Sequence, residues 1–398
     1  MNNKTVYIKE YNKGSIRIEL KHMPKDYSEE QQMIVDLVRE FCDSEIKSIE
    51  SEIDLKAQIS EELLKKLSDI GLYGILVSEK YGGADASLSA FISGIRELAK
   101  YSASVASAIL FHNALACKII EKYGSEDQKN TLLKELATGK RIGTVVVGDN
   151  GGFLNLDNVK TDADFDGEEY TISGRKNVVL NGKYADLFIV LARIKEKFGF
   201  FIVDANNKGV SKSNPIELIG LKGNGVSSIS FYSCKVTKNQ IIANIEQTED
   251  ILRDITDHLL LGLTAINIGI SEAASKEAIK YANERKQFAK QIGKFEAVQA
   301  MLANIFIEEK FVKNLLETTC NEKDNGKDIS IDAMVCKVSS SKMVENNTKS
   351  ALKIHGGYGY IKDYPVERYV RDAVTVKTLC DNDDDLKVKI AKKILGYN

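Results

Sequence analysis

Leu252, Ile255, Leu259, Leu263, Ile266, Ile270 and Ala273 recur at spacings of three and four residues. That periodicity predicts a helix of about six turns carrying one apolar stripe. A helix so long hides its stripe only against partners of similar length, so the run constrains the whole C-terminal region. The pattern continues through Tyr281 to about Phe288. Val298, Leu302, Ile305, Val312 and Leu316 stripe a second long helix. A polar connection, Asn321 to Lys327, precedes a third from Ile331 to Ile354, a shorter one follows Pro365, and Leu386, Ile390 and Ile394 stripe the last. Only Pro24, Pro215 and Pro365 occur in the chain, which permits long uninterrupted helices. Residues 246–398 therefore read as an antiparallel helical bundle.

Two other textures come before it. Residues 1–25 read as a polar arm without the apolar core of a signal peptide. Residues 26–141 read as helical. Ser28 and Gln31 have capping-box spacing, Leu63, Leu64 and Leu67 share a face before Gly71, and apolar patterns resume after the Gly82-Gly83 loop. Near Gly143 the pattern changes. Val145 to Val147 open a β-rich stretch, Asp166-Gly167 is a turn signal, and Leu187–Ile194 and Phe200–Val203 read as strands. Ile229 and Phe231 alternate with Ser228 and Ser230, the period of a half-buried strand. The fold class expected is α+β: an N-terminal helical domain, a central β domain at 142–245, and a C-terminal four-helix bundle.

Composition narrows the function classes. The 55 Lys and Arg against 57 Asp and Glu leave a formal charge of −2, so nothing draws the chain to nucleic acid or to anionic lipid. No run approaches the length needed to span a membrane. The six cysteines are scattered with no CxxC pair, which suits a reducing, cytoplasmic setting. The four histidines fall outside any zinc-ligand spacing, so no metal site is expected.

Two C-terminal segments stand out. One is Tyr281-Ala-Asn-Glu-Arg-Lys-Gln-Phe288, continuing to Ile292, Phe295 and Gln299. The other is Ile354-His-Gly-Gly-Tyr-Gly-Tyr360, followed by Tyr364-Pro-Val-Glu-Arg368 and Arg371-Asp372. A pyrophosphate needs a bidentate cation and backbone N–H groups at close range. Arg285 offers the first, and Gly356-Gly357 permits the second. Phe288 and Ile292 offer apolar walls. The plainer readings are a solvated surface arginine and a helix C-cap, and the glycines can be both cap and cradle. His355 reads as a packing or surface histidine.

These two segments closely resemble the signature regions of the acyl-CoA dehydrogenase family. In the N-terminal half, Leu72-Tyr-Gly-Ile-Leu-Val-Ser-Glu-Lys-Tyr-Gly-Gly83 and Tyr123-Gly-Ser-Glu-Asp-Gln-Lys129 resemble further family segments in the same order. The resemblance spans about Tyr27 to Leu395. It implies helices, a β domain and a four-helix bundle, FAD held across a subunit interface in a dimer or tetramer, and oxidation of the Cα–Cβ bond of an acyl thioester. It also implies that electrons leave to an electron-transferring flavoprotein. By the same resemblance, Arg285, Gln287 and Phe288 reach the neighbouring subunit's FAD, while Lys353, Gly356 and Gly357 meet its diphosphate–adenosine end. Lysine at 353 replaces the usual glutamine, and its charge still suits a phosphate.

Other positions depart from the family pattern. Aligned without gaps from Tyr364, the family's catalytic glutamate falls at Cys380, and the alternative base position falls at Leu259, followed by Leu260. The tryptophan and threonine that contact the flavin ring fall at Val178 and Leu180, and a further flavin-contacting loop reads Gly148 to Asn155. Cys380 reads either as a small buried apolar residue or as a thiolate base, with Asp381 beside it raising its pKa. The carboxylates from Asp381 to Asp385 suit a helix N-terminus. Asp257 and His258 turn away from the face of Leu259 and Leu260.

Three functions follow. The first is an FAD-dependent enzyme acting on an acyl thioester of CoA or of a carrier protein, with an altered site. The second is a half-site subunit of a hetero-oligomer that completes a related chain's FAD site. The third is a flavin-free acyl-thioester enzyme or binding protein.

Overall fold

The computed structural model describes residues 27–150, 156–243 and 245–397. The polar arm expected at 1–25 and residues 151–155 of the Gly148–Asn155 loop lie outside that description.

The N-terminal region is helical, with α1 (Glu29–Phe41), α2 (Glu50–Lys56), α3 (Glu61–Asp69), α4 (Leu88–Ala99), α5 (Ala103–Leu110), α6 (Lys118–Tyr123) and two short helices, α7 (Glu126–Gln128) and α8 (Lys134–Ala137). The capping box forms: Gln31 N–H donates to Ser28 Oγ, and the Gln31 side chain accepts from Ser28 N–H. The expectation that no run reaches membrane length is corrected by Ala103–Tyr123. From α5 through a π-helical segment into α6, it is a 21-residue stretch whose most apolar 18-residue window has mean hydropathy 1.5, long and apolar enough by length and composition to cross a membrane. Its most apolar window is 94% buried inside the protein, so that apolarity serves the core. His112 and Asn113 sit within the run and conceal its length in the sequence, yet both are buried and bonded.

The middle region is a sheet of β1 (Gly143–Val146), β2 (Asp162–Phe165), β3 (Glu169–Val179), β4 (Leu187–Ile194), β5 (Lys197–Asp204), β6 (Val210–Lys212), β7 (Ser227–Thr237) and β8 (Ile241–Ile242). Its order is β6-β7-β3-β2-β4-β5-β8, with β1 parallel beside β4. Phe188, Val190, Phe201, Ile229 and Phe231 belong to its own apolar core. Leu187, Ile189 and Phe200 instead join the large core shared with the helices. Alternate strand residues thus feed two cores, as a period of two requires.

The bundle comprises α9 (Thr248–Glu284), α10 (Glu296–Asp324), α11 (Ser330–His355), α12 (Val366–Thr378) and α13 (Asp383–Ile394). The single stripe expected on α9 understates its surroundings, because nearly every residue between Ile251 and Ser271 is buried. Helices α4, α10 and α11 all pack against it.

Two boundaries differ from expectation. The helix expected to reach Phe288 stops at Glu284, and the chain reverses through a hairpin of β9 (Lys286–Gln287) and β10 (Lys290–Gln291). Asn283 to Gln287 supply no apolar residue to continue the buried stripe, whose last buried member is Ala282. Phe288 and Ala289 take the turn with φ of 50° and 59°. The connection expected at Asn321 begins later, because α10 runs on to Asp324. There the Asp324 carboxylate accepts from the N–H groups of Leu88 and Ser89 at 2.9 and 3.0 Å, capping the start of α4.

Candidate functional site

Two cavities gather most of the residues singled out in the sequence, and they share no lining residue. The first, about 530 Å³, lies where the end of α9 and its hairpin meet the glycine turn after α11. Arg285, Gln287 and Ile292 line one side, and His355, Gly356, Gly357 and Tyr358 line the other. Arg285 is the C-cap of α9, its N–H donating to Tyr281 O. Its guanidinium lies over the Tyr358 ring, 5.5 Å from the centroid. Among the described residues, no carboxylate forms an ion pair with it.

Gly356 caps α11 with φ 58° and ψ −136°, a backbone conformation that disfavours any side chain. A Cβ at Gly356 or Gly357 would meet no atom within 4 Å, so the turn borders open space. It is both a cap and an exposed backbone surface. His355 is buried, not on the surface. Its Nδ1–H donates to Ala351 O at 2.8 Å, and its ring stacks on Tyr281 at 4.3 Å. Its Nε2 is buried with no hydrogen-bond partner among the described residues. Lys353 and Phe288 are not brought into this cavity. Lys353 is exposed on α11 and does not line it, and Phe288 is 88% exposed at the hairpin turn.

The second cavity, about 470 Å³, lies between the β domain and the segment joining α12 to α13. Val145, Val147, Val178, Leu180, Leu218 and Phe111 give it apolar walls. Thr375, Thr378, Leu379 and Cys380 close the far side, and Asp381, Asn382 and Asp385 bring polar groups to it. The structure therefore brings Cys380, from far along the chain, to Val178 and Leu180 around one space. Leu259 and Leu260 are fully buried in α9 and do not line it. Asp257 pairs with Lys323 at 3.0 Å, and His258 Nδ1–H donates to Asp254 O. Burial holds the His258 imidazole down to about 4, so it stays neutral at neutral pH.

Cys380 adopts φ 73°, and its thiol donates to Asp381 Oδ2 at 3.3 Å. Burial first, then the adjacent Asp381 charge, push its pKa well above the usual thiol value. It stands in the cavity as a thiol. Asn382 caps α13 by accepting from the N–H groups of Asp384 and Asp385, which gives the acidic run its helix-terminus role.

A buried lysine fixes the cavity's β wall. Lys176 Nζ donates to Val147 O at 2.6 Å, Asp149 Oδ1 at 2.7 Å and Leu191 O at 2.9 Å. Asp149 also accepts from Lys160 N–H and the Thr161 hydroxyl. Burial lowers the Lys176 pKa to about 8 against the pull of Asp149. Sequence reasoning missed this clamp, although a lysine in the same strand as Ile172 and Val179 was the available signal.

Three family models match the chain in order: the acyl-CoA dehydrogenase N-terminal domain at residues 28–140, the middle domain at 146–234 and the C-terminal domain at 256–379. The chain is 30% identical over 377 residues to the short-chain specific acyl-CoA dehydrogenase of Clostridium acetobutylicum, covering 94% of this chain and 100% of that protein. The chain belongs to the acyl-CoA dehydrogenase family.

Among its other relatives is the CarC subunit of the caffeyl-CoA reductase–Etf complex of Acetobacterium woodii. It is 30% identical over 352 residues, or 87% of this chain and 93% of that one. The butyryl-CoA dehydrogenase structure from Megasphaera elsdenii superposes with a TM-score of 0.89 at 27% identity, covering 94% and 100% of the two chains. The helix–sheet–helix order expected from the sequence is this family's fold. Family members are FAD-dependent.

An unpaired guanidinium beside an open glycine turn suits a diphosphate. At the second cavity, Val178 and Leu180 provide packing surface but no side-chain donor.

Proposed function

We propose that this chain is an FAD-binding oxidoreductase acting on the Cα–Cβ bond of an acyl thioester, carried by CoA or by a carrier protein. Arg285 carries the reading, as a half-buried cation with no carboxylate partner among the described residues, facing Gly356 and Gly357. Arg285, Gln287 and Ile292 hold the diphosphate end with the Gly356-Gly357 backbone. The two cavities share no lining residue, which supports an oligomer in which Arg285 and the exposed Phe288 serve a neighbouring subunit's FAD. Lys353 adds positive charge from the last turn of α11.

The second cavity takes the acyl group. Its valine and leucine walls exclude water from the acyl chain. Bound FAD supplies the two-electron acceptor or donor for the Cα–Cβ bond. The likeness to a subunit of an Etf complex supports an electron-transferring flavoprotein as electron partner.

A second reading has its own support. Val178 and Leu180 lack the ring-side donors, which favours a subunit that lends Arg285 to a related chain while its own ring site is closed. The visible spectrum of the purified protein separates the two. The first reading expects a yellow protein with flavin in each subunit. A protein that takes up flavin only when copurified with a related chain supports the second, and one that takes up none in either state contradicts both.

A further inference from the structure

We propose that Asp381 is the proton-transferring catalytic residue of the second cavity. This rests on the reading of that cavity as an acyl-thioester site. The cavity is lined by three ionisable side chains among the described residues: Cys380, Asp381 and Asp385. Cys380 is a hydrogen-bond donor there, its Sγ directed at Asp381 Oδ2 at 3.3 Å. Asp385 is exposed, and its Oδ2 accepts from Asn382 Nδ2 at 2.6 Å within the cap of α13. Asp381 is half-buried. Its Oδ2 lies beside the position-380 side chain, so the carboxylate occupies the part of the cavity that Cys380 points toward.

The nearby Lys389 ammonium is drawn down by burial and held up first by Asp381. Asp383 lies 3.4 Å from the buried Lys337, and Asp384 pairs with Lys387 at 2.9 Å. Those two neighbours do not line the cavity.

In the step, Asp381 removes a proton from the α-carbon of the thioester. The Cα–H bond breaks, an O–H bond forms on the carboxylate, and the electron pair passes to the thioester carbonyl as an enolate. Return of the proton reverses the step, so exchange needs no oxidant. Cys380 Sγ–H donates to Asp381 Oδ2 and orients the carboxylate between turnovers.

The test is α-hydrogen exchange of butyryl-CoA in D2O by the protein as purified, read by mass spectrometry, with flavin content measured separately. Wild type is expected to deuterate the α-carbon. Asp381→Asn should slow exchange by about 100-fold or more, the usual range for losing a positioned acid–base group. Asp381→Glu should recover part of it, and Asp384→Asn should match wild type. Melting curves confirm that each variant folds. Unchanged exchange in Asp381→Asn, loss in Cys380→Ala with Asp381→Asn unaffected, or no exchange by wild type each overturns the assignment. The flavin measurement is independent of these outcomes: flavin in a protein whose Asp381→Asn variant still exchanges leaves the proposed function standing without Asp381.

Discussion

The Arg285 guanidinium lies 5.5 Å from the centre of the Tyr358 ring, so a charge at the end of α9 is braced by an aromatic residue of the turn after α11. The contact pre-orients the guanidinium without neutralising it, as a carboxylate would. Arg285→Gln should weaken FAD binding about 10- to 100-fold, the range for losing hydrogen bonds to a charged group. Arg285→Lys should recover little, because it loses the planar fork. Titration of apo-protein with FAD checks both, with melting curves to confirm the fold.

Leu180 tests the ring end. Leu180→Thr places a hydroxyl where the cavity has an apolar wall. If the polar edge of the flavin lies there, FAD binding should tighten about fivefold, the effect of one added neutral hydrogen bond. No change would favour the half-site reading.

The Lys176 clamp predicts a stability effect. Lys176→Met leaves Asp149 without its cation and removes donors from Val147 O and Leu191 O. Breaking a buried pair on one side costs about 3–5 kcal/mol. Denaturant unfolding should show a loss of that order, and the second cavity's β wall should become more accessible to hydrogen exchange.

Glu50 makes stability depend on pH. It is buried, and desolvation raises its pKa to about 8 although Arg368 lies 3.7 Å away. Its folded pKa therefore exceeds its unfolded value near 4.5, so the folded state holds the proton longer. Stability from this group is full at low pH and falls as pH rises toward 8. Glu50→Gln should match wild type at about pH 4, below the unfolded value, and melt progressively higher than wild type as pH rises to about 8. A melting-temperature difference that does not change with pH would contradict this.

The stripe on α9 was legible because burial along one face leaves a period of three and four. The hairpin at Phe288 was not, because Phe288 and Ala289 adopt positive φ without the glycine or asparagine that marks such turns. The membrane-length apolarity of Ala103–Tyr123 was masked by His112 and Asn113, whose partners come from distant segments. Val178, Leu180 and Cys380 could be named from family spacing. Their shared cavity could not, since it depends on how α12 meets the sheet. Asp381 looked like part of a helix cap because the run after it is one.

Whether this chain holds FAD and uses it on acyl thioesters can be read from one experiment. It is the visible spectrum of FAD-reconstituted protein during anaerobic addition of butyryl-CoA or another short acyl-CoA. The predicted result is flavin bound in each subunit and a loss of its visible absorbance when a suitable thioester is added. A colourless protein that takes up no FAD at saturating concentration, alone or with a related chain, would contradict it.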